Sequence, residues 1–162
     1  MEQEKKLKEG IEVTIIDFHP QYQQDFKRLN EKWISHYFKM EETDYKSLDH
    51  PNEYILNPGG KILVALLNSE VVGVCALIKM DGKTYELAKM AVADKIKGKG
   101  IGEQLGRAAI AKAIKLGAEK IYLESNTVLE PAIKLYDKLG FKKVTGITSP
   151  YERCNIQMIL KL

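Results

Sequence analysis

Apolar and polar positions along the chain change period several times, and each change marks a new element. From Ile11 to Ile16 the two alternate and β-branched residues dominate, which predicts a strand. His19-Pro20 ends it. Tyr22, Phe26, Leu29, Trp33, Ile34 and Tyr37 then recur mostly at helical steps, marking one apolar face. The stretch from Glu41 to Asn57 is polar and punctuated by Pro51, so it reads as loop or short helix, and Asn57-Pro58-Gly59-Gly60 is a turn. Lys61–Leu67, Val71–Met80 and Thr84–Val92 follow as strands. Asn68-Ser69-Glu70 and Asp81-Gly82 separate them, predicting an antiparallel meander. The helical period returns over Ile101–Leu116, with Leu105, Ala108, Ala109 and Ala113 on its packing face and Gly117 as its stop. Lys120–Glu124 reads as a strand, Val128–Leu139 as a helix capped by Gly140, and Phe141–Val144 and Arg153–Leu160 as the closing strands.

The order βα(α)βββαβαββ implies a mixed sheet with helices on its faces. Apolar residues make up 44% of the 162, enough for one core and too many for a disordered chain. A loose charged leader is expected over residues 1–10 and one domain over residues 11–162. No membrane span is expected, because runs such as Ile62–Leu67 are far too short, and Met1–Gly10 lacks the apolar region of a secretory signal. A net charge of +3 suits an anionic small molecule but falls short of a nucleic-acid-binding signature. Cys75 and Cys154 stand far apart without a C-x-x-C partner, and His19, His36 and His50 share no ligand spacing. We therefore expect neither a metal site nor a disulfide scaffold, and a reduced, cytoplasmic compartment fits.

Lys97-Gly98-Lys99-Gly100-Ile101-Gly102 lies between a strand and a helix. Unpaired N–H groups and aligned peptide dipoles make such a helix start attractive to anions, and glycine lets a phosphate approach the backbone closely. The alternative is a tight turn with solvated lysines, and spacing alone leaves both open. There is no Gly-Lys-Ser/Thr of a Walker loop, and the third glycine is misplaced for a dinucleotide fingerprint.

Met90-Ala91-Val92, a short loop and then Lys97 to Gly102 together resemble the acyl-CoA motif of the GCN5-related N-acetyltransferases (the GNAT family): Arg or Gln, two residues, Gly, one residue, Gly or Ala. Lys97 stands where Arg or Gln is usual, keeping charge but losing a bidentate donor. Glu124-Ser125-Asn126 and Ala132 to Phe141, which includes Tyr136 and Leu139-Gly140-Phe141, resemble the family's second signature. The two signatures occur in order and at the family's separation. The resemblance extends over Glu86–Phe141 in motif and Ile11–Leu162 in layout.

The resemblance implies an α/β fold with a mixed sheet of about seven strands, about four flanking helices and a splay between the fourth and fifth strands. It implies acetyl-CoA as co-substrate, no metal, and direct attack of an amine on the thioester carbonyl. Met90, Ala91 and Val92 would hold the pantetheine arm through their backbone, with an N–H near Val92 polarising the carbonyl. Lys97, Gly98, Lys99, Gly100, Ile101 and Gly102 would wrap the pyrophosphate, and Asn126 would contact CoA or, alternatively, cap its loop. Glu86 matches a position that some members use for the base; a solvent-facing strand residue or ion-pair partner is the alternative. A regular strand would put residues 86, 88, 90 and 92 on one side, although the family usually bulges there. Tyr136 matches the tyrosine that protonates the leaving thiolate, and its ring can pack in the core at the same time. On the acceptor side the resemblance suggests Trp33, Tyr37, Glu41 and Arg153. Glu41, Glu42 and Asp44 would attract a cationic amine or form a solvated acidic loop, and Tyr151 and Arg153 would receive a carboxylate or simply polarise an edge. A homodimer is common in the family. The leading expectation is acetylation of a small, amino-acid-like primary amine. A protein acceptor, or a silent acyl-CoA sensor, stands as the alternative, and retention of both Glu86 and Tyr136 counts against the sensor.

Overall fold

The computed structural model describes residues 11–162, so the expected leader over residues 1–10 lies outside the described residues. The elements are β1 (Thr14–Asp17), α1 (Gln23–Tyr37), α2 (Glu42–Asp49), β2 (Lys61–Leu67), β3 (Glu70–Lys79), β4 (Thr84–Val92), α3 (Ile101–Lys115), β5 (Lys120–Ser125), α4 (Glu130–Lys138), β6 (Lys142–Val144) and β7 (Ile156–Lys161). One seven-stranded sheet runs in the order β1-β2-β3-β4-β5-β7-β6, flanked by the four helices. The mixed α/β architecture read from the sequence is therefore present. Among the described residues no helix is long and apolar enough to cross a membrane.

The sheet buries both faces. Phe26 and Leu29 of α1, Leu48 of α2 and Ile55 pack on one face against Ile62, Val64, Val74 and Ala76. Leu105, Ala109 and Ala113, spaced by one helical turn along α3, pack on the other with Leu77, Leu87, Ile121, Leu123 and Phe141. Gly73 of β3 brings α3 close, because a Cβ there would lie 2.9 Å from a Leu105 methyl.

Most boundaries lie within a few residues of those the periodicity predicts; two larger shifts have a clear cause, and the open reading of residues 41–57 is decided. Strand β1 starts at Thr14, because Gln104 of α3 captures the preceding backbone: its amide donates to the Ile11 carbonyl (2.5 Å) and accepts from the Val13 N–H (3.2 Å). Residues 42–49 do form a helix, begun by a reciprocal capping box between Glu41 and Asp44. Strand β7 starts at Ile156 rather than Arg153, because Arg153 is drawn out of the sheet by the contacts described below.

Two irregularities position the site. The parallel pairing of β4 with β5 covers Thr84, Tyr85 and Glu86 opposite Lys120, Ile121 and Tyr122, then stops, although both strands continue. This is the splay expected between the fourth and fifth strands. In addition, the register of β4 with β3 slips between Val74 and Ala76, and Lys89 takes a left-handed conformation (φ 53°). Such a backbone costs an L-residue about 1–2 kcal/mol. The bulge divides the set that a regular strand would align. Glu86 and Ala88, opposite Ile78 and Ala76, lie on the α1/α2 face, whereas Met90 and Val92 pack toward α3.

Candidate active site

A cleft of about 750 Å³ opens where β4 and β5 part. One wall is the turn that joins β4 to α3. Gly98 and Gly100 both have positive φ (79° and 83°), and a Cβ on either would meet no protein atom. Gly100 is the N-cap of α3 and has no side chain to satisfy the first helical N–H groups. The turn is thus a concave row of main chain at the positive end of a helix dipole, a form that accepts a phosphate group. Lys97, Gly98, Gly100, Ile101 and Gly102 line the cleft, whereas Lys99 is not on its wall. Lys97 also pairs with Asp94 at 2.8 Å, and Asp94 in turn pairs with Lys32 at 2.9 Å.

Met90, Ala91 and Val92 form the floor. Beyond Glu86 this strand has no β5 partner, so its β5-facing main chain can pair with an extended ligand. Asn126 lines the opposite wall, but its side chain is engaged within the loop. Its Nδ2 donates to the Arg153 carbonyl (2.8 Å), and its Oδ1 accepts from the Val128 N–H (2.9 Å).

Tyr136 reaches the cleft from α4 with its ring edge-on to Phe141, centroids 6.0 Å apart. The packing and cleft-facing readings of this residue therefore coexist. Burial, and after it the neighbouring Cys75, push the Tyr136 hydroxyl up to about 12, so it keeps its proton. Cys75 is itself fully buried on β3, and burial pushes its thiol up to about 12. Glu86 also lines the cleft and accepts no hydrogen bond among the described residues. Burial first, and then the charge of Glu124 across the splay, raise its carboxyl to about 7 against the opposing pull of Lys89. A carboxylate poised near neutrality is suited to take a proton from an amine.

The bulge of β4 carries a network that periodicity did not reveal. Lys89 is buried, and its ammonium donates to Asp44 and to the Tyr151 hydroxyl (3.2 Å). Asp44, wholly buried, also receives both arms of the Arg153 guanidinium at 2.6 Å each. Burial works to raise the Asp44 carboxyl, but the Arg153 hydrogen bonds and the Lys89 charge outweigh it and hold the group at about 2. Glu41 is not on the cleft wall; it caps α2 and lies 3.3 Å from Arg153. Both Arg153 and Lys89 stack against the Tyr151 ring, at 4.4 and 5.0 Å. Asp44 and Glu41, expected to meet a substrate separately from Arg153, are thus bound to it, whereas Glu42 pairs with Lys46 at 3.5 Å. Trp33 and Tyr37 do line the cleft. Asn30, fully buried beside them, donates to the Lys89 carbonyl at 3.1 Å and accepts from the Trp33 indole at 3.0 Å, fixing α1 to the bulge.

Two signals for these missed residues were present in the sequence. Lys89 is a charge inside the apolar run Leu87-Ala88-Lys89-Met90-Ala91, and Asn30 interrupts the apolar face of α1. Charged and amide groups in such places are buried only with partners.

The sequence model of the acetyltransferase (GNAT) family matches residues 21–141. The chain is 31% identical over 122 residues to the N-acetyltransferase YjgM of Escherichia coli, covering 72% of each protein. It is 39% identical over 100 residues to the N-acetylaspartate synthetase of Danio rerio, covering 60% of this chain and 35% of that protein; it thus spans about a third of that relative's length. Among solved structures, a GNAT-family acetyltransferase of Staphylococcus aureus superposes with a TM-score of 0.84 at 21% identity, covering 93% of this chain and 99% of that one. A Bacillus subtilis acetyltransferase solved in complex with CoA gives 0.71 at 25% identity, with the same coverage. A splayed parallel strand pair, an open glycine turn at a helix start and a family match over three-quarters of the residues agree: the chain belongs to the acetyltransferase (GNAT) family.

Proposed function

We propose that this protein transfers an acetyl group from acetyl-CoA to the primary amine of a small, amino-acid-sized molecule. The observation that carries this reading is the single cleft bounded by the open glycine turn, the unpaired edge of β4, Glu86 and Tyr136. Acetyl-CoA supplies the activated thioester. The turn at residues 97–102 holds its pyrophosphate through main-chain N–H groups and the α3 dipole, and Lys97 adds charge at the rim. The unpaired main chain of Met90–Val92 holds the extended arm as an added strand would.

Glu86 takes a proton from the acceptor nitrogen, directly or through water. An amine reaches the cleft mostly protonated and attacks only when neutral, so a carboxyl raised to about 7 is a better acceptor for that proton than an ordinary glutamate. Tyr136 holds its proton on Oη until negative charge develops on sulfur and then gives it up. Neither thiol is suited to act as a nucleophile: Cys75 is off the cleft wall and kept protonated by burial, and burial also raises Cys154, which does line the cleft.

The test is thiol release from acetyl-CoA by the purified chain across amino acids, amino-acid amides, diamines, aminoglycosides and lysine peptides. Multiple-turnover release with a small amine supports the reading. Release with peptides alone replaces the acceptor class, and acetyl-CoA binding with no release from any acceptor leaves a sensor module in its place.

A further inference from the structure

We propose that the acceptor end of the cleft selects a cationic amine that carries no carboxylate, and that Asp44 sets this selection by neutralising, from behind, the two cations that would otherwise receive one. The inference rests on the acetyl-transfer reading above.

The argument is one of charge placement. Lys89 and Arg153 are the basic side chains at this end of the cleft wall. Both are already committed: Asp44 fills the fork of Arg153 and accepts from Lys89, while Glu41 approaches Arg153 from the rim. Asp44 does not line the cleft, so no ligand competes for its oxygens. By contrast, Glu86 and Glu124 both line the cleft, and neither has a cation within salt-bridge distance among the described residues. Ser149 donates to Glu124, while Glu86 receives nothing. A ligand entering here meets two carboxyl groups without a salt-bridge partner, whereas the two cations at this end each have one.

A carboxylate on the acceptor would face two costs. Taking Arg153 means leaving Asp44 buried with a partner removed, which is strongly unfavourable. Leaving the pair intact means lying beside Glu86 and Glu124, a like-charge contact. A second positive group meets the opposite conditions. Trp33, Tyr37 and Phe38 line the same end, and aromatic faces attract cations. The Trp33–Asn30–Lys89 chain of hydrogen bonds fixes that aromatic group beside the acidic pair. Diamines and amino-acid amides fit this environment. Aspartate, the amino acid in the name of the synthetase relatives, does not.

The experiment measures kcat/KM of the full chain for acceptor pairs that differ only in the carboxylate: leucine against leucinamide, lysine against cadaverine, and aspartate against its diamide. Rates are expressed per unprotonated amine, because masking or removing a carboxylate also shifts the pKa of the amine. A preference of about tenfold or more for the carboxylate-free member of each pair is expected. Equal rates, or a preference for the carboxylate, overturn the selection while leaving acetyl transfer standing. No release with any acceptor overturns the transferase reading and this inference with it. The variant Asp44→Asn, checked for folding by its melting transition, should bring the ratio toward unity by raising the rate with leucine and aspartate; a folded variant with an unchanged ratio overturns the role of Asp44. If that variant does not fold, Glu124→Gln decides: removing a cleft charge should lower the preference for cadaverine over lysine, and an unchanged ratio counts against the proposal.

Discussion

At the cofactor end of the cleft the contact surface is main chain: two left-handed glycines, a helix start without a side-chain cap and a strand edge left unpaired by the splay. At the proposed acceptor end it is side chains, with Glu86, Lys89, Glu124, Tyr151 and Arg153 gathered from three separate segments and Asp44 paired behind them from a fourth. On the proposed reading, the first construction would recognise what every acyl-CoA presents, a phosphate and an extended amide chain, and it would need backbone shape more than side-chain identity. The second would distinguish one amine from another by which charges are paired and which are left free.

Replacing groups at each end tests whether the two really work separately. The largest effects should come from the proton carriers between them. Tyr136→Phe keeps the ring against Phe141 and removes only the proton, so kcat should fall about a hundredfold or more with acetyl-CoA affinity unchanged by calorimetric titration. Equal rates would remove the acid role.

Glu86→Gln should reduce the rate similarly above neutrality and erase the limb of the pH–rate profile near 7, leaving the limb of the amine itself. A superimposable profile would remove Glu86 as the base. The same variant has a stability signature. Burial raises the carboxyl from 4.5 to about 7, so its contribution to stability is whole below the unfolded value and is lost as pH rises through the folded one. The glutamine variant should therefore melt higher than the parent at about pH 8 and level with it at about pH 4, a gain in stability at the expense of turnover.

At the cofactor end, Gly100→Val forces a β-branched residue into a left-handed conformation and fills the open turn. Acetyl-CoA affinity should weaken about tenfold, read by calorimetry, with the acceptor preference intact. Unaltered affinity would sink the pyrophosphate assignment, and a changed preference would join the two ends. The smallest effect belongs to Lys97→Ala. This exposed side chain is already paired with Asp94, so affinity should drop by about threefold and less at high salt, as for other surface charges.

The same division explains what could be read without coordinates. The glycine turn, the meander and the Leu-Gly-Phe helix end are local: each is a few consecutive residues whose conformations follow from their own chemistry. The splay and the roles proposed for Glu86 and Tyr136 follow from the family resemblance, because no period announces them. The Asp44–Lys89–Arg153 network was missed. Its members are 45 and 109 residues apart in sequence; the apolar run around Lys89 marks that charge as buried but not its partners, and Asp44 and Arg153 each read alone as a solvated charge. The capping box of α2 hid Asp44 further by offering a sufficient local reason for an acid there.

Cys75 has a use that its inertness creates. It lies sealed in the core with its thiol well above the usual range, whereas Cys154 is only half-buried. A thiol-reactive dye should count one sulfur on the native chain and a second only as the sheet opens. The delayed label on Cys75 is a built-in clock for unfolding, and acetyl-CoA, if it binds across the splay, should slow that clock without touching the Cys75 sulfur, which is not on the cleft wall.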